Sequence, residues 1–440
     1  MKILENKKLL LAIIFAAALV VRLVTMVALE TYKFPNEEAF GFGYGDTARY
    51  VALGEGFKTS HFLPGVARPS AVSPPGYVYF MAMIFSLFGI YSVTSAIILE
   101  IFQSLIAAAA CVVFYYLGKR FHETVGLLAA LGMAFYPPSI LFSVMRISPV
   151  LLVVVLLGII MLYLFKIQER WQTRDVVVCG ILMGLNVLME PTVILFYAAA
   201  CIWLFFWSPQ PRFRAVKSSV MMATVCVLCV LPWTIRNYMV FGTFVPIKSS
   251  MGGHLLQGNH PFSESEGAIF GPEIKKAFSA EELAKLETMD EVQANKLMEK
   301  KAIEFIKADP GTFLRRTLTR IYYYWAFVNP YRETRYDTLR IVTYGPVFML
   351  GLIGFLLSRK YWMETSLLLA LMLSYPLFYY VTQVTINRYR FVPEIFLIIM
   401  ASYATVELVG RLVRLRSSAP AGKGKSVRSS QFEVPNKVDG

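Results

Sequence analysis

The 440-residue chain reads as an all-α, polytopic membrane protein, and three observations lead there. It is 56% hydrophobic and only 16% charged, with a mean hydropathy of +0.55, whereas soluble domains carry about a quarter charged residues. Apolar runs long enough to cross a bilayer recur along nearly its whole length. Lys and Arg gather in alternate connections, as the positive-inside rule requires. Together these predict about ten transmembrane helices plus two interfacial helices, with both termini cytoplasmic. Two large loops, residues 30–76 and 238–309, fall on the external side, and residues 417–440 form a disordered cytoplasmic tail.

Each element has its own justification. The apolar run 9–29 after MKILENKK is too long for a signal peptide and no small-residue cleavage site follows it, so it is a retained first span. Arg22, its one charge, must snorkel or find a partner. Residues 77–89 are apolar but short, which suits an interfacial or re-entrant segment. Residues 92–117 run inward to Lys119 and Arg120, and 124–141 return outward through the Pro137-Pro138 break to a short connection holding Arg146. Residues 149–165 lead in to Lys166, Arg170 and Arg174; 176–189 lead out to Glu190-Pro191. Residues 192–207 lead in to Arg212, Arg214 and Lys217, and 218–235 lead out to Arg236-Asn237. Within the second large loop, residues 281–307 are rich in helix formers. Pro310 starts a helix, and residues 313–328, interrupted by Arg315, Arg316 and Arg320, suit the interface. Residues 341–357, 362–380 and 391–412 are the last spans. Making 77–89 a full span would put Lys119-Arg120 and Lys166 to Arg174 outside, against the charge rule.

A net charge of +14 would suggest nucleic acid in a soluble chain. Here the cytoplasmic loops account for it, and no nucleic-acid partner is expected. The five cysteines lie in apolar segments with neither metal-ligand spacing nor a disulfide framework, and the four histidines are scattered. No metal site and no cofactor are expected, and the sequence leaves metal dependence open.

Chemistry concentrates in the first external loop, GFGYGDTARYVALGEGF, followed by a Pro- and Gly-marked run ending RPSAVSPPGY. Asp46 opens a helical pattern in which Arg49, Tyr50 and Leu53 share a face, and Gly54 and Gly56 stop it. On the chosen topology the external face collects Asp46, Arg49, Arg68, Arg146, Glu190, Arg236, Arg388 and Arg390, with Tyr50 and Asn237 alongside. Arginines gathered outside run against the usual trend, and the guanidinium fork suits phosphate oxygens. The plain alternatives are solvated anchors at span ends for the arginines and a helix N-cap for Asp46. Glu37 and Glu38 are rival carboxylates without a following helical pattern, and Tyr322, Tyr323, Tyr324 and Trp325 read as an interfacial belt.

Four separated motifs carry a family resemblance: GDTARYVALGEGF, RPSAVSPPGYVYFMAMIFSLFG, PWTIRNYMVFGTFVPI and NRYRFVPEIFLII. Together they resemble the polyprenyl-phosphate-dependent glycosyltransferases of the GT-C fold, in the branch of the bacterial relatives of protein O-mannosyltransferases and of the lipid A aminoarabinose transferase. The resemblance covers nearly the whole chain to about Arg416 and implies one GT-C domain over residues 1–416 of the cytoplasmic membrane. It implies a sugar donor carried on a polyprenyl phosphate, a substrate rather than a cofactor, and an acceptor (glycan, lipid or protein) at the outer face. Asp46 matches the general base of an inverting transfer, and Arg388 and Arg390 match an Arg-Tyr-Arg motif that would hold the donor phosphate. Two features depart from the family: the MRISPV connection lacks an acidic residue, and Thr47 rather than Glu follows Asp46. The double-tryptophan motif of oligosaccharyltransferases is absent, which counts against peptide N-glycosylation. A transporter or flippase of lipid-linked glycans is the alternative reading. It would favour internal repeats, which the chain does not display. A non-catalytic scaffold would leave the Asp46 loop unexplained.

Overall fold

A computed structural model describes residues 7–33, 40–41, 43–60, 67–263, 272–327, 337–382 and 387–418. The first half begins with α1 (Lys7–Leu29), then α2 (Gly43–Ala52) and a two-stranded ribbon of β1 (Lys58–Thr59) and β2 (Arg68–Pro69). It continues with α3 (Pro75–Phe88), α4 (Val93–Lys119), α5 (Glu123–Phe135), α6 (Pro137–Val144), α7 (Val150–Glu169), α8 (Thr173–Val187) and α9 (Ile194–Trp207). The second half comprises α10 (Arg212–Phe241), α11 (Met251–Asn259), α12 (Pro272–Lys275), α13 (Ala280–Thr288), α14 (Glu291–Ala308) and α15 (Pro310–Trp325). The chain closes with α16 (Asp337–Leu357), α17 (Trp362–Ser374), α18 (Leu377–Thr382) and α19 (Asn387–Ser418).

Local chemistry sets the boundaries. Ser92 caps α4 by accepting from the Ser95 amide. Reciprocal capping boxes, Ser279 with Glu282 and Asp290 with Gln293, start α13 and α14. Gly242, left-handed at φ 62°, ends α10. Pro137 bends α5 against α6 by 46°.

Six helical stretches among the described residues are long and apolar enough to cross a bilayer alone, and the bent α5–α6 pair would be a seventh. One of the six, Ile341–Thr382, contains two of the expected spans, and the shorter α8 and α9 fall on two more. All ten expected segments are therefore helical, and the chain is a multi-pass membrane protein. Residues 77–88 lie in the 14-residue α3, short as expected. The proposed tail beyond Ser418 lies outside the described residues.

The main core centres on α4, which packs against α1, α5 and α7, while α19 packs against α16 and α5. Gly118 and Gly126 let α4 and α5 touch, since a Cβ on Gly118 would stand 2.9 Å from the Gly126 Cα. Arg22 does not snorkel. It is 0% exposed and donates to the carbonyls of Ala18, Ala134 and Met133 and to Ser139 Oγ. A separate small core of Leu256, Ile274, Phe278, Ala294 and Met298 holds α11 to α14 together. The expected aromatic belt divides: Tyr322 is 68% exposed, but Tyr324 is buried and its hydroxyl donates to the Tyr389 carbonyl.

Candidate functional site

Asp46 is not the helix N-cap that the plain alternative made of it. The helix begins at Gly43, so Asp46 sits inside its first turn. Its carboxylate is 0% exposed and bonds to Arg49 on its own helix and to Thr59 and Ser60 in the following segment. Oδ1 accepts from Arg49 Nη2 at 2.9 Å and Ser60 Oγ at 3.0 Å. Oδ2 accepts from Thr59 Oγ1 at 2.8 Å and the Ser60 amide at 2.7 Å. Four donors fill the usual capacity of a carboxylate. For Asp46 to take a proton from a substrate, one of the two rotatable hydroxyls must turn away. Arg49 also bonds the Tyr50 hydroxyl at 2.9 Å and lies 4.6 Å from the centre of its ring, so these three candidates form one unit. Sequence reasoning missed Thr59 and Ser60, because nothing in their spacing from Asp46 signals the fold-back.

Three close approaches bring distant candidates to this loop. Gly41, at φ +80°, lies against the connection that carries Arg146, and a Cβ there would meet the Ile147 carbonyl oxygen at 2.6 Å. Gln103 holds the same connection, donating to the Arg146 carbonyl at 3.0 Å and accepting from the Ser148 amide at 2.8 Å. At the loop's far end the Gly76 amide donates to the Leu188 carbonyl, two residues before Glu190. Arg236 closes the third side, donating to the carbonyls of Ser70 at 2.7 Å and Phe57 at 2.9 Å. Asn237 is buried and donates to the Val245 carbonyl at 3.1 Å, which fastens the turn after α10. Arg68 donates to the carbonyls of Glu287 and Met289.

A second cluster surrounds Arg390. It is 2% exposed; Nε donates to Glu394 at 2.9 Å, and Nη1 to the Tyr324 and Ala326 carbonyls. Its guanidinium lies 4.1 Å from the Tyr344 ring centre, and Tyr136 donates to Glu394 at 2.8 Å. Two of its three nitrogens are thus engaged inside the protein, binding α15, α16 and α19 together. Glu190 accepts from Thr192, whose hydroxyl is 3.3 Å from that of Tyr379, and Tyr379 stacks on Tyr389 at 4.4 Å. A row of contacts therefore runs from the first loop through Glu190 to the Arg390 cluster. The side chain of Arg388, and all of Glu37 and Glu38, lie outside the described residues.

Glu291, unmarked by any motif, is the other buried carboxylate among the described residues of the two large loops. It accepts from Ser70 Oγ at 2.6 Å, from the Ala71 amide at 2.8 Å and from Ser249 Oγ. Burial pushes its carboxyl above the usual range, partly offset by those three donors and by Arg236. Among the described residues no group of three His, Cys, Asp or Glu side chains gathers to hold a metal.

No curated protein sequence matches the chain. A family model described as dolichyl-phosphate-mannose-protein mannosyltransferase matches residues 72–235. The fold is similar to the oligosaccharyltransferase AglB of Archaeoglobus fulgidus in complex with an inhibitory peptide and a dolichol-phosphate. That likeness has a TM-score of 0.55 at 14% identity, over 93% of this chain and 52% of that one. The same archaeal enzyme tethered with an acceptor peptide gives 0.57 at 14% identity, over 94% and 51%. The chain thus spans about half the length of these enzymes. ArnT from Cupriavidus metallidurans bound to undecaprenyl phosphate is a looser likeness, with a TM-score of 0.39 at 12% identity over 91% and 78%; at that score it carries no argument about the fold. The likeness to the archaeal enzyme runs along nearly the whole of this chain, so the chain has the GT-C fold, and the family model lies across its middle.

Proposed function

We propose that the chain is a membrane glycosyltransferase, moving a hexose or pentose from a polyprenyl-phosphate donor to an acceptor at the external face of the cytoplasmic membrane. One observation carries this reading. A buried carboxylate, Asp46, is held by charged and hydroxyl donors in a loop against which three separate connections converge. The matching family model and the archaeal likeness support it. In the step itself the acceptor hydroxyl attacks the anomeric carbon and the carbon–phosphate-oxygen bond breaks, inverting the centre. Polyprenyl phosphate departs with the bonding pair. Asp46 takes the acceptor proton once the Ser60 or Thr59 hydroxyl rotates off it, and Arg49 keeps the carboxylate oriented. Arg388 is the residue for the donor phosphate, because the neighbouring Arg390 is already committed to Glu394 and two carbonyls.

Asp46→Asn tests the assignment. The amide keeps the size but cannot accept a proton, so transfer should fall by about 10²–10⁴-fold. The amide nitrogen also loses one donor, the Ser60 amide or Arg49 according to its orientation, so binding of undecaprenyl phosphate and thermal stability are measured alongside. Near-native transfer by Asp46→Asn, with Glu37→Gln or Glu38→Gln inactive, would move the base to those residues. Full activity in all three would end the enzymatic reading of this loop.

A further inference from the structure

We propose that Glu291 and Arg236 are positioning residues for Asp46, fixing the segment that supplies its hydroxyl partners; this rests on the function proposed above. Three of the four donors to Asp46 come from Thr59 and Ser60, at the end of β1. That strand pairs with β2 through Lys58↔Pro69 and Thr59↔Arg68, extended by the Ser70 amide on the Phe57 carbonyl at 3.0 Å. Strands of two residues do not hold themselves in place in water. Their position must be imposed from outside the ribbon.

Arg236 and Glu291 impose it from opposite sides. Arg236 spans the ribbon's open end, with one nitrogen on the Phe57 carbonyl and another on the Ser70 carbonyl. Its guanidinium lies 4.8 Å from the Trp233 ring centre and 5.3 Å from that of Phe57, which fixes its plane. Glu291, 2% exposed in the first turn of α14, takes Ser70 and Ala71 on one side and Ser249 on the other. The Ser249 amide returns to the Ala71 carbonyl at 2.9 Å, closing the ring of bonds. Ala71, Val245 and Val292 seal it from water. A buried carboxylate is costly unless every acceptor site is used, and this one accepts three hydrogen bonds at a helix N-terminus, where negative charge is favoured. Arg68 adds a second tie, to the turn between α13 and α14. Movement of α14 therefore passes through residues 70–71 to residues 57–60, and from there to the carboxylate. The second external loop sets the geometry of a residue in the first.

The test compares Glu291→Ala, Glu291→Gln, Asp46→Asn and the surface control Glu281→Ala in the full-length protein. Release of undecaprenyl phosphate from undecaprenyl-phosphate mannose is followed in membranes lacking the native gene product, which supply the acceptor. Amide exchange is measured on the same proteins. Glu291→Ala should lower kcat by about 10–100-fold, as expected when a reacting group is displaced by about 1 Å, with donor KM unchanged. Exchange should rise at Ser60 and along α2 as well as at residues 70–71. Glu291→Gln, whose amide can donate to the Ser70 hydroxyl, should restore most of both. Exchange raised only at residues 70–71, 249 and 291, or a kcat that stays level or rises in Glu291→Ala, would overturn the inference. If Asp46→Asn abolishes release while Glu291→Ala does not, the positioning role fails alone. If neither substitution alters release, the proposed function fails instead.

Discussion

Arg390 and Arg388 are two residues apart, yet the proposed function gives them different roles. Arg390 with Glu394 is a buried pair, 3% and 8% exposed at the side chains, lodged among tyrosines. Removing one partner leaves an uncompensated charge, so Glu394→Ala should cost about 3–5 kcal/mol of stability. A lowered melting temperature in detergent would show it. Arg388→Ala should leave melting unchanged and weaken undecaprenyl phosphate binding instead. Equal loss of donor binding in both variants, without any change in melting, would return Arg390 to the phosphate site. Glu291 gives a second residue-scale test. Its folded carboxyl lies above the ordinary range, so between the ordinary value and the raised one the folded state binds more protons than the unfolded. Stability from this group is present at low pH and is lost as pH rises through that window. Glu291→Gln removes the titration. Its melting temperature relative to wild type should climb as pH is raised from the acidic carboxylate range toward neutrality. A difference that stays flat with pH would place the Glu291 titration in its ordinary range.

At the scale of elements, the first loop is seated by backbone approaches that only glycine permits. Gly41 and Gly54 have nearly the same φ, +80° and +77°, but a Cβ meets the Ile147 carbonyl at the first and nothing within 4 Å at the second. Alanine at either position carries the left-handed penalty of about 1–3 kcal/mol. Only Gly41→Ala should also push the loop off the Arg146 connection. Faster exchange along α2 in Gly41→Ala, but not in Gly54→Ala, is the expected result. Equal behaviour would mean that the Ile147 contact does not seat the loop. The same logic explains what was legible at this scale. Proline and glycine punctuation, capping residues and apolar length placed all ten apolar helical segments and the short α3 in the sequence. The start of α2 was misread by three residues, because Asp46 looks like a cap and is instead a tertiary acceptor.

For the whole molecule, sidedness is the open prediction. Cysteines placed at the exposed positions Glu55 and Glu281 should react with an impermeant reagent in intact cells. Cysteines at Gln172 and Lys360, also exposed, should react only after permeabilisation. Positions such as Gln168 and Ser358 are buried and would stay unreactive on either side. Labelling of Gln172 from outside would invert the topology and the external site built on it.

Hydropathy, charge alternation and local punctuation by themselves determined the class of this protein, the placement of its apolar helices and the loop that holds its carboxylate. Each of those depends on neighbours within one or two turns, or on solvent, so each is written locally. The pairing of residues far apart in the chain was decided only by the tertiary structure. It gave Asp46 the hydroxyls of residues 59 and 60, bound Glu291 to Ser70 and Ser249, and closed Arg390 onto Glu394 beneath the end of α15. A side chain's charge is visible in sequence, but the partner that takes up that charge depends on which backbones approach closely enough to offer a donor or a carbonyl.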